Sequence, residues 1–294
     1  MKHVVLHIGQ YKTGSSSIQN FLTSHPDYLA KNKVKFCERC LLKNEPDVGI
    51  RHFKLTINTA TENCFWPDLV DEIKNGDEET YIVSYENMLF GLDEKQIAYI
   101  TQILREFDVS IIWYLRRQDK FLNSWYAEII KSHKGTMTKS TFLKRYHTLG
   151  FYGKALQKWH KHFDSARFSV ISFEQLKREK QNVVDSFLQL TNIPKTHSIA
   201  NHADNPSLGS KGVVNILAFN KSVHLRPEIH RNVAQFFINY FDDDSKFSLL
   251  TDFNLPVDFF SHHFDDKTPT AENAQLSKFI VQTCKDCHAM IFFE

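Results

Sequence analysis

Short apolar runs alternate along this chain with stretches of helical periodicity. Val4–Ile8 is apolar apart from His7 and reads as a buried strand. Ile18, Phe21 and Leu22 then fall at i, i+3 and i+4, which predicts a helix that Ser24-His25-Pro26 ends. Trp66, Leu69, Val70 and Ile73 mark a second helix, and Tyr81–Ser84 a second strand. Ile97, Ile100, Leu104 and Phe107 repeat at helical spacing and lead into a strand at Val109–Leu115. Phe121, Leu122, Trp125 and Ile129 predict the next helix, and Leu156, Trp159 and Phe163 another. A strand at Phe168–Ile171 and a helix at Val183–Leu190 follow. Beyond Asn205-Pro206 the pattern is helical, through Val213–Phe219 and Val233–Phe241. Repeated β-then-α order with apolar strands predicts a three-layer α/β fold, a parallel sheet flanked by helices, with a helical C-terminal third. No repeat, linker or charge block divides the pattern. The expectation is a single domain over 1–294, with a core to about residue 220 and a helical extension after it.

Composition narrows the function classes. The 294 residues are 42% hydrophobic and carry 10 Gly and 8 Pro, which leaves ample material for a core and excludes a low-complexity chain. Thirty-six basic against 34 acidic side chains give a net charge of +2, too small an excess for a protein that coats nucleic acid. Met1-Lys2-His3 runs into an apolar patch too short for a signal sequence, and no run reaches the ~18 apolar residues of a membrane span. A soluble, cytoplasmic chain is expected. Two C-x-x-C pairs, Cys37/Cys40 and Cys284/Cys287 with His288 beside it, have spacings used for zinc or haem. They lie far apart, and Cys284 and Cys287 share a helix-like apolar face with Phe279 and Ile280. Buried thiols and no metal are the reading.

Candidate chemistry begins where the first strand ends. Gly9-Gln-Tyr-Lys12-Thr13-Gly14-Ser15-Ser16-Ser17 separates that strand from the Ile18 helix. A small-residue loop at a helix N-terminus cradles phosphate, because unpaired backbone N–H groups and the helix dipole face the anion. Gly9 and Gly14 have the spacing of a Walker A loop, but Ser15 stands where that motif needs Lys. Lys12 is the loop's cation, three residues earlier, and is aimed at a different atom of a shorter phosphate chain. Glu86 closes a second strand end, Tyr81-Ile-Val-Ser-Tyr-Glu, on the same sheet edge.

His7–Gln19, H-I-G-x-x-K-T-G-S-S-S-I-Q, resembles the 5′-phosphosulfate loop of sulfotransferases that use 3′-phosphoadenosine 5′-phosphosulfate, above all bacterial members. A second family motif, a strand ending in Arg with Ser eight residues later on the next helix, is matched by Arg116 and Ser124. Weaker likenesses continue in order: Tyr152–Trp159, Ser169–Leu176, Asn205-Pro-Ser-Leu, and Lys211-Gly212. The resemblance spans about residues 3–220 and implies a P-loop-containing sulfotransferase-like fold. It implies that Lys12 lies beside the departing bridging oxygen and that Thr13, Gly14, Ser15, Ser16 and Ser17 bind the 5′-phosphate. It likewise implies that Arg116 and Ser124 hold the 3′-phosphate, with Phe173 and Lys211 also on the donor. No metal is implied.

The same resemblance places a catalytic base, His or Glu, just past the second strand, which is Glu86 here. His52 in Ile50-Arg-His-Phe is the other candidate, and both stay open. The acceptor implied is a hydroxyl on a saccharide or small molecule, met by loops such as Cys37–Asn63 and Lys131–Gly150 with Lys131, His133, Lys134 and Lys139. Two other readings remain: a P-loop kinase-like phosphotransferase, which would need Lys at position 15, and a non-catalytic nucleotide-binding protein, which would not need Lys12, Arg116 and Ser124. Oligomeric state is not legible.

Overall fold

A computed structural model describes residues 1–39, 41, 66–132, 135–163, 168–195, 213, 216–217 and 220–221. Five strands form one sheet: β1 (His3–His7), β2 (Val34–Phe36), β3 (Thr80–Ser84), β4 (Asp108–Leu115) and β5 (Phe168–Ser172). Their order is β2-β3-β1-β4-β5. All four pairings are parallel, with Val5 opposite Ile82 on one side and Ser110 on the other. The expected parallel sheet is therefore present. Because β1 lies between β3 and β4, the connections leave its two sides in opposite directions. The crevice this opens at the carboxyl ends of the strands is where ligands bind in such sheets.

Helices follow the strands, as the periodicity predicts. α1 (Ser15–Ser24) buries Ile18, Phe21 and Leu22, and α2 (Pro26–Lys31) starts with Pro26 in the first-turn position that suits its fixed φ. α3 (Trp66–Asn75), α4 (Met88–Gly91) and α5 (Glu94–Ile103) come next, α5 opening on a capping box between Asp93 and Gln96. α6 (Gln118–Ser132), α7 (Lys139–Tyr146) and a 3-10 turn at His147–Gly150 follow β4. α8 (Tyr152–His160), α9 (Phe173–Arg178) and α10 (Val183–Leu190) complete the described helices. One face of the sheet packs Val5, Ile82, Ile112 and Tyr114 against Ile18, Phe21 and Leu22 of α1 and Val184, Phe187 and Leu188 of α10. On the other, Trp113 meets Tyr152 of α8 edge-on, with ring centres 5.6 Å apart.

The described residues fall into two compact units, one of residues 1–117 and 152–195, the other of 118–151 with those near 213–221. The first holds the whole sheet. In the second, Phe142 of α7 packs on Tyr126 of α6, and buried Asn220 donates to the carbonyls of Ile130 and Gly135 at 2.9 and 3.0 Å. Nothing in the sequence pattern marks the passage at Arg117–Gln118, since α6 follows β4 with no linker.

Several features depart from the pattern, among them the short helices α2, α4 and α9, which no apolar period marks. β2 is three residues long, too short to register as a strand by alternation. Within Lys131–Gly150, expected as a loop, Thr138 caps α7 by accepting the Thr141 N–H. That helix buries only Phe142, so its apolar stripe is too thin to read. The helices around Ile97–Phe107 and Leu156–Phe163 end at Ile103 and His160, and the apolar residues beyond them lie in turns. Cys37 is buried beyond β2, its N–H bonded to the Ile82 carbonyl. Cys40, Cys284, Cys287, His288 and the Val233–Phe241 segment lie outside the described residues. Val213, Ile216, Leu217, Asn220 and Lys221 are helical, as expected there. No helix among the described residues is long and apolar enough to cross a membrane.

Candidate active site

The loop from β1 to α1 is built around left-handed backbone. Gly9 and Gly14 have φ of +88° and +87°, and Lys12 between them has φ +65°. Glycine adopts this region freely, whereas a lysine there carries strain of about 1–2 kcal/mol. Strain of that kind persists where surrounding contacts over-determine the conformation. Gly9 also has no room for a side chain, since a Cβ would sit 2.1 Å from Glu86 Cα. At Gly14 a Cβ would meet Val183 of α10 at 2.9 Å.

Gln10 holds the loop's interior. Its side chain is fully buried, donates from Nε2 to the Tyr152 hydroxyl at 2.7 Å and accepts the Arg116 N–H at Oε1. The Tyr152 hydroxyl donates in turn to the Arg116 carbonyl at 2.7 Å. The Gln10 carbonyl accepts from the Thr13 hydroxyl at 2.7 Å and from the Ser15 hydroxyl at 3.3 Å. Those two hydroxyls are thus bonded within the loop. At the start of α1, Ser16 and Ser17 are half-buried, and the Ser17 N–H donates to the Gly14 carbonyl at 3.0 Å. No side chain caps that helix, its N-cap is Gly14, and no acidic residue stands in its first turn. Such an end suits an anion.

Arg116 follows β4 directly. Its guanidinium donates from Nη1 to the Lys12 carbonyl at 2.9 Å, lies 3.9 Å from the Glu174 carboxylate, and stands 5.7 Å from the centre of the Phe173 ring. Glu174 also accepts the Arg117 N–H at 2.9 Å. Phe173 is half-buried, with Lys177 Nζ 4.9 Å from its ring centre. Ser124 stands half-buried on α6, in the second unit. His52 and Lys211 lie outside the described residues.

Glu86 follows β3 by two residues and is 6% exposed. The strand pairing runs on to Tyr85 just before it, whose N–H donates to the His7 carbonyl at 3.0 Å. Glu86 Oε2 accepts from Gln19 Nε2 at 3.1 Å, and the same amide donates to Ser84 Oγ at 3.1 Å. Ser84 Oγ lies 2.7 Å from His7 Nδ1. Loop, Arg116 and Glu86 therefore share one edge of one sheet, the carboxyl ends of β1, β4 and β3.

Residues 2–249 match the family model for the Sulfotransferase domain. The chain belongs to this family. A protein of Archaeoglobus fulgidus described as uncharacterized is 28% identical over 159 residues, which is 53% of this chain and 43% of that relative. The match thus spans less than half of the curated relative's length. Among solved structures, a sulfotransferase from Alicyclobacillus acidocaldarius is similar at 16% identity and a TM-score of 0.41, over 74% of this chain and 91% of that one. A sulfotransferase domain from the curacin biosynthetic pathway is similar at 10% identity and a TM-score of 0.36, over 81% and 96%.

Two residues of this sulfotransferase-family site, Gln10 and Gln19, escaped sequence reading. Gln19 closes the motif at His7–Gln19, so its position was visible while its partner was not. Gln10 occupies a position the motif leaves open. A cavity of about 540 Å³ lined by Lys35, Asp68, Asp71 and Glu72 shares no residue with the β1–α1 loop. Its Glu72 carboxylate is already bonded to the N–H groups of Glu38 and Arg39. Among the described residues, no group of three or more His, Cys, Asp or Glu is placed to hold a metal ion.

Proposed function

We propose that the chain transfers a sulfuryl group from 3′-phosphoadenosine 5′-phosphosulfate to an acceptor hydroxyl on a saccharide or small alcohol, without a metal ion. The observation that carries this reading is the β1–α1 loop, in which Lys12 is held at φ +65° before the uncapped end of α1 and its carbonyl is bonded to Arg116. An anion-binding helix end and two cations of neighbouring strand ends fit a donor with phosphate at both its 5′ and 3′ positions.

Transfer forms a bond from the acceptor oxygen to sulfur and breaks the bond from sulfur to the 5′-phosphate oxygen. Negative charge grows on that departing oxygen. Lys12 stabilises it there, more in the transition state than in the ground state, which is what raises the rate. Backbone N–H groups of residues 13–16 and the hydroxyls of Ser16 and Ser17 bind the 5′-phosphate. Thr13 and Ser15 keep the loop in shape through the Gln10 carbonyl. Arg116 holds the 3′-phosphate, and Ser124 joins it by the spacing of the motif. Phe173 and Lys211 complete the donor side on the same grounds. Glu86 accepts the acceptor's proton, and His52 is the alternative base.

The test is calorimetry with 3′,5′-diphosphoadenosine and 5′-AMP in chelator, followed by an acceptor screen with labelled donor. The diphosphate is expected to bind at least about tenfold more tightly, since one charge-assisted contact contributes ~1.5–3 kcal/mol. Equal affinities, or binding that requires magnesium, would overturn the donor site and favour a kinase.

A further inference from the structure

We propose that Gln19 is a positioning residue for Glu86, orienting its carboxylate through a buried amide anchored on Ser84 and His7. The inference rests on Glu86 as the base and adds a residue to that reading. Gln19 is 1% exposed, Ser84 and His7 are fully buried, and Glu86 is 6% exposed. In such surroundings a carboxylate needs a donor, and an unmatched polar group is costly. The Gln19 amide supplies one N–H to Glu86 Oε2 and the other to Ser84 Oγ, each at 3.1 Å. Turning the amide over would set its carbonyl oxygen against the carboxylate, so its orientation is decided by charge.

Ser84 is fixed from behind by His7 Nδ1 at 2.7 Å. The imidazole in turn is wedged edge-on between Tyr114 and Phe187, with ring centres 5.8 and 5.6 Å away. Burial pushes its pKa down to about 3, so the imidazole stays neutral near neutral pH and anchors Ser84 as an uncharged partner. Gln19 stands on α1 and Glu86 just past β3, so the bond ties the base to the helix whose first turn forms the donor loop. One rigid unit then carries both halves of the site.

The test uses the full chain with Gln19→Met, which keeps length and loses both donors, alone and combined with Glu86→Gln. Gln19→Met is expected to keep 3′,5′-diphosphoadenosine affinity within about twofold and to lower kcat by roughly 10–100-fold, part of the ~10²–10⁴ that a positioned base supplies. Turnover is read as release of labelled diphosphate, with the best acceptor of the screen or with water. In the Glu86→Gln background, Gln19→Met should change kcat by less than about twofold, as expected of two residues acting through one another.

Wild-type kcat in Gln19→Met, or losses that multiply in the double variant, would overturn the positioning role while leaving Glu86 as base. Full activity in Glu86→Gln would overturn both. Should Gln19→Met fail to fold, Ser84→Ala removes the anchor of the same amide and is expected to lower kcat with 3′,5′-diphosphoadenosine affinity kept; an unchanged kcat would overturn the role.

Discussion

The guanidinium of Arg116 donates to the main-chain carbonyl of Lys12 at 2.9 Å, which ties the end of β4 to the β1–α1 loop. Arg116 thus shapes the loop as well as offering charge. Arg116→Ala is expected to erase most of the preference for 3′,5′-diphosphoadenosine over 5′-AMP, a loss of about tenfold or more. Arg116→Lys should restore only part of it, since a single ammonium cannot reach the carbonyl and a phosphate with the fork of a guanidinium. Calorimetry on the three proteins decides it; an undiminished preference in Arg116→Ala removes Arg116 from the donor site.

Lys12 combines a strained backbone with the assigned transition-state contact. Lys12→Ala should lower kcat by ~10²–10³. Lys12→Gly should do the same, yet keep stability within about 1 kcal/mol of wild type, because relief of the left-handed strain offsets the glycine's greater freedom when unfolded. Initial rates and urea melts of both variants are the measurements. Near-wild-type kcat in either folded variant discards the assignment.

Gly9 lies against the Glu86 backbone, where an added Cβ would come within 2.5 Å of three main-chain atoms. Gly9→Ala also meets a φ of +88°. Overpacking and left-handed strain together predict a loss of about 2–4 kcal/mol in urea unfolding. kcat should fall in whatever folded fraction remains, since relief requires Glu86 to shift. A variant with wild-type stability would mean that the two strand ends are farther apart than described.

Glu86→Gln is expected to lower kcat by ~10²–10⁴ with donor affinity unchanged, the behaviour of a base that touches the acceptor. His52→Ala should cost less. If the first keeps full activity and the second abolishes it, the base is His52 and the donor site still stands.

His7 gives the fold a dependence on pH. Burial holds its folded-state pKa at about 3, below the ordinary 6.5 of the unfolded chain. The unfolded state therefore binds a proton that the folded state refuses. Stability from this residue is fully present above pH 6.5 and is lost as pH falls from there towards 3. Between pH 6.5 and 5 the loss is about 2 kcal/mol. Urea melts across that window should show it, and His7→Asn should flatten the slope. A slope unchanged by the substitution would assign it to other groups.

The sequence alone determined what is local. Strands β1, β3, β4 and β5 and most of the helices were legible because each repeats apolar residues with its own period, and the loop glycines stood at readable spacing. Lys12, Glu86 and Arg116 were legible as ends of such elements. The tertiary structure decided what depends on distance along the chain. The order β2-β3-β1-β4-β5 brought three strand ends to one edge, and β2 exists as a strand only by pairing with β3. Gln19 meets Glu86 across 67 positions, and Arg116 meets Lys12 across 104. Phe173, expected on the donor side, lies beside two cations that only the folded chain brings to it. A side chain's type and spacing state what it can bond; which partner it finds is settled only when the sheet closes and buried polar groups must all be satisfied at once.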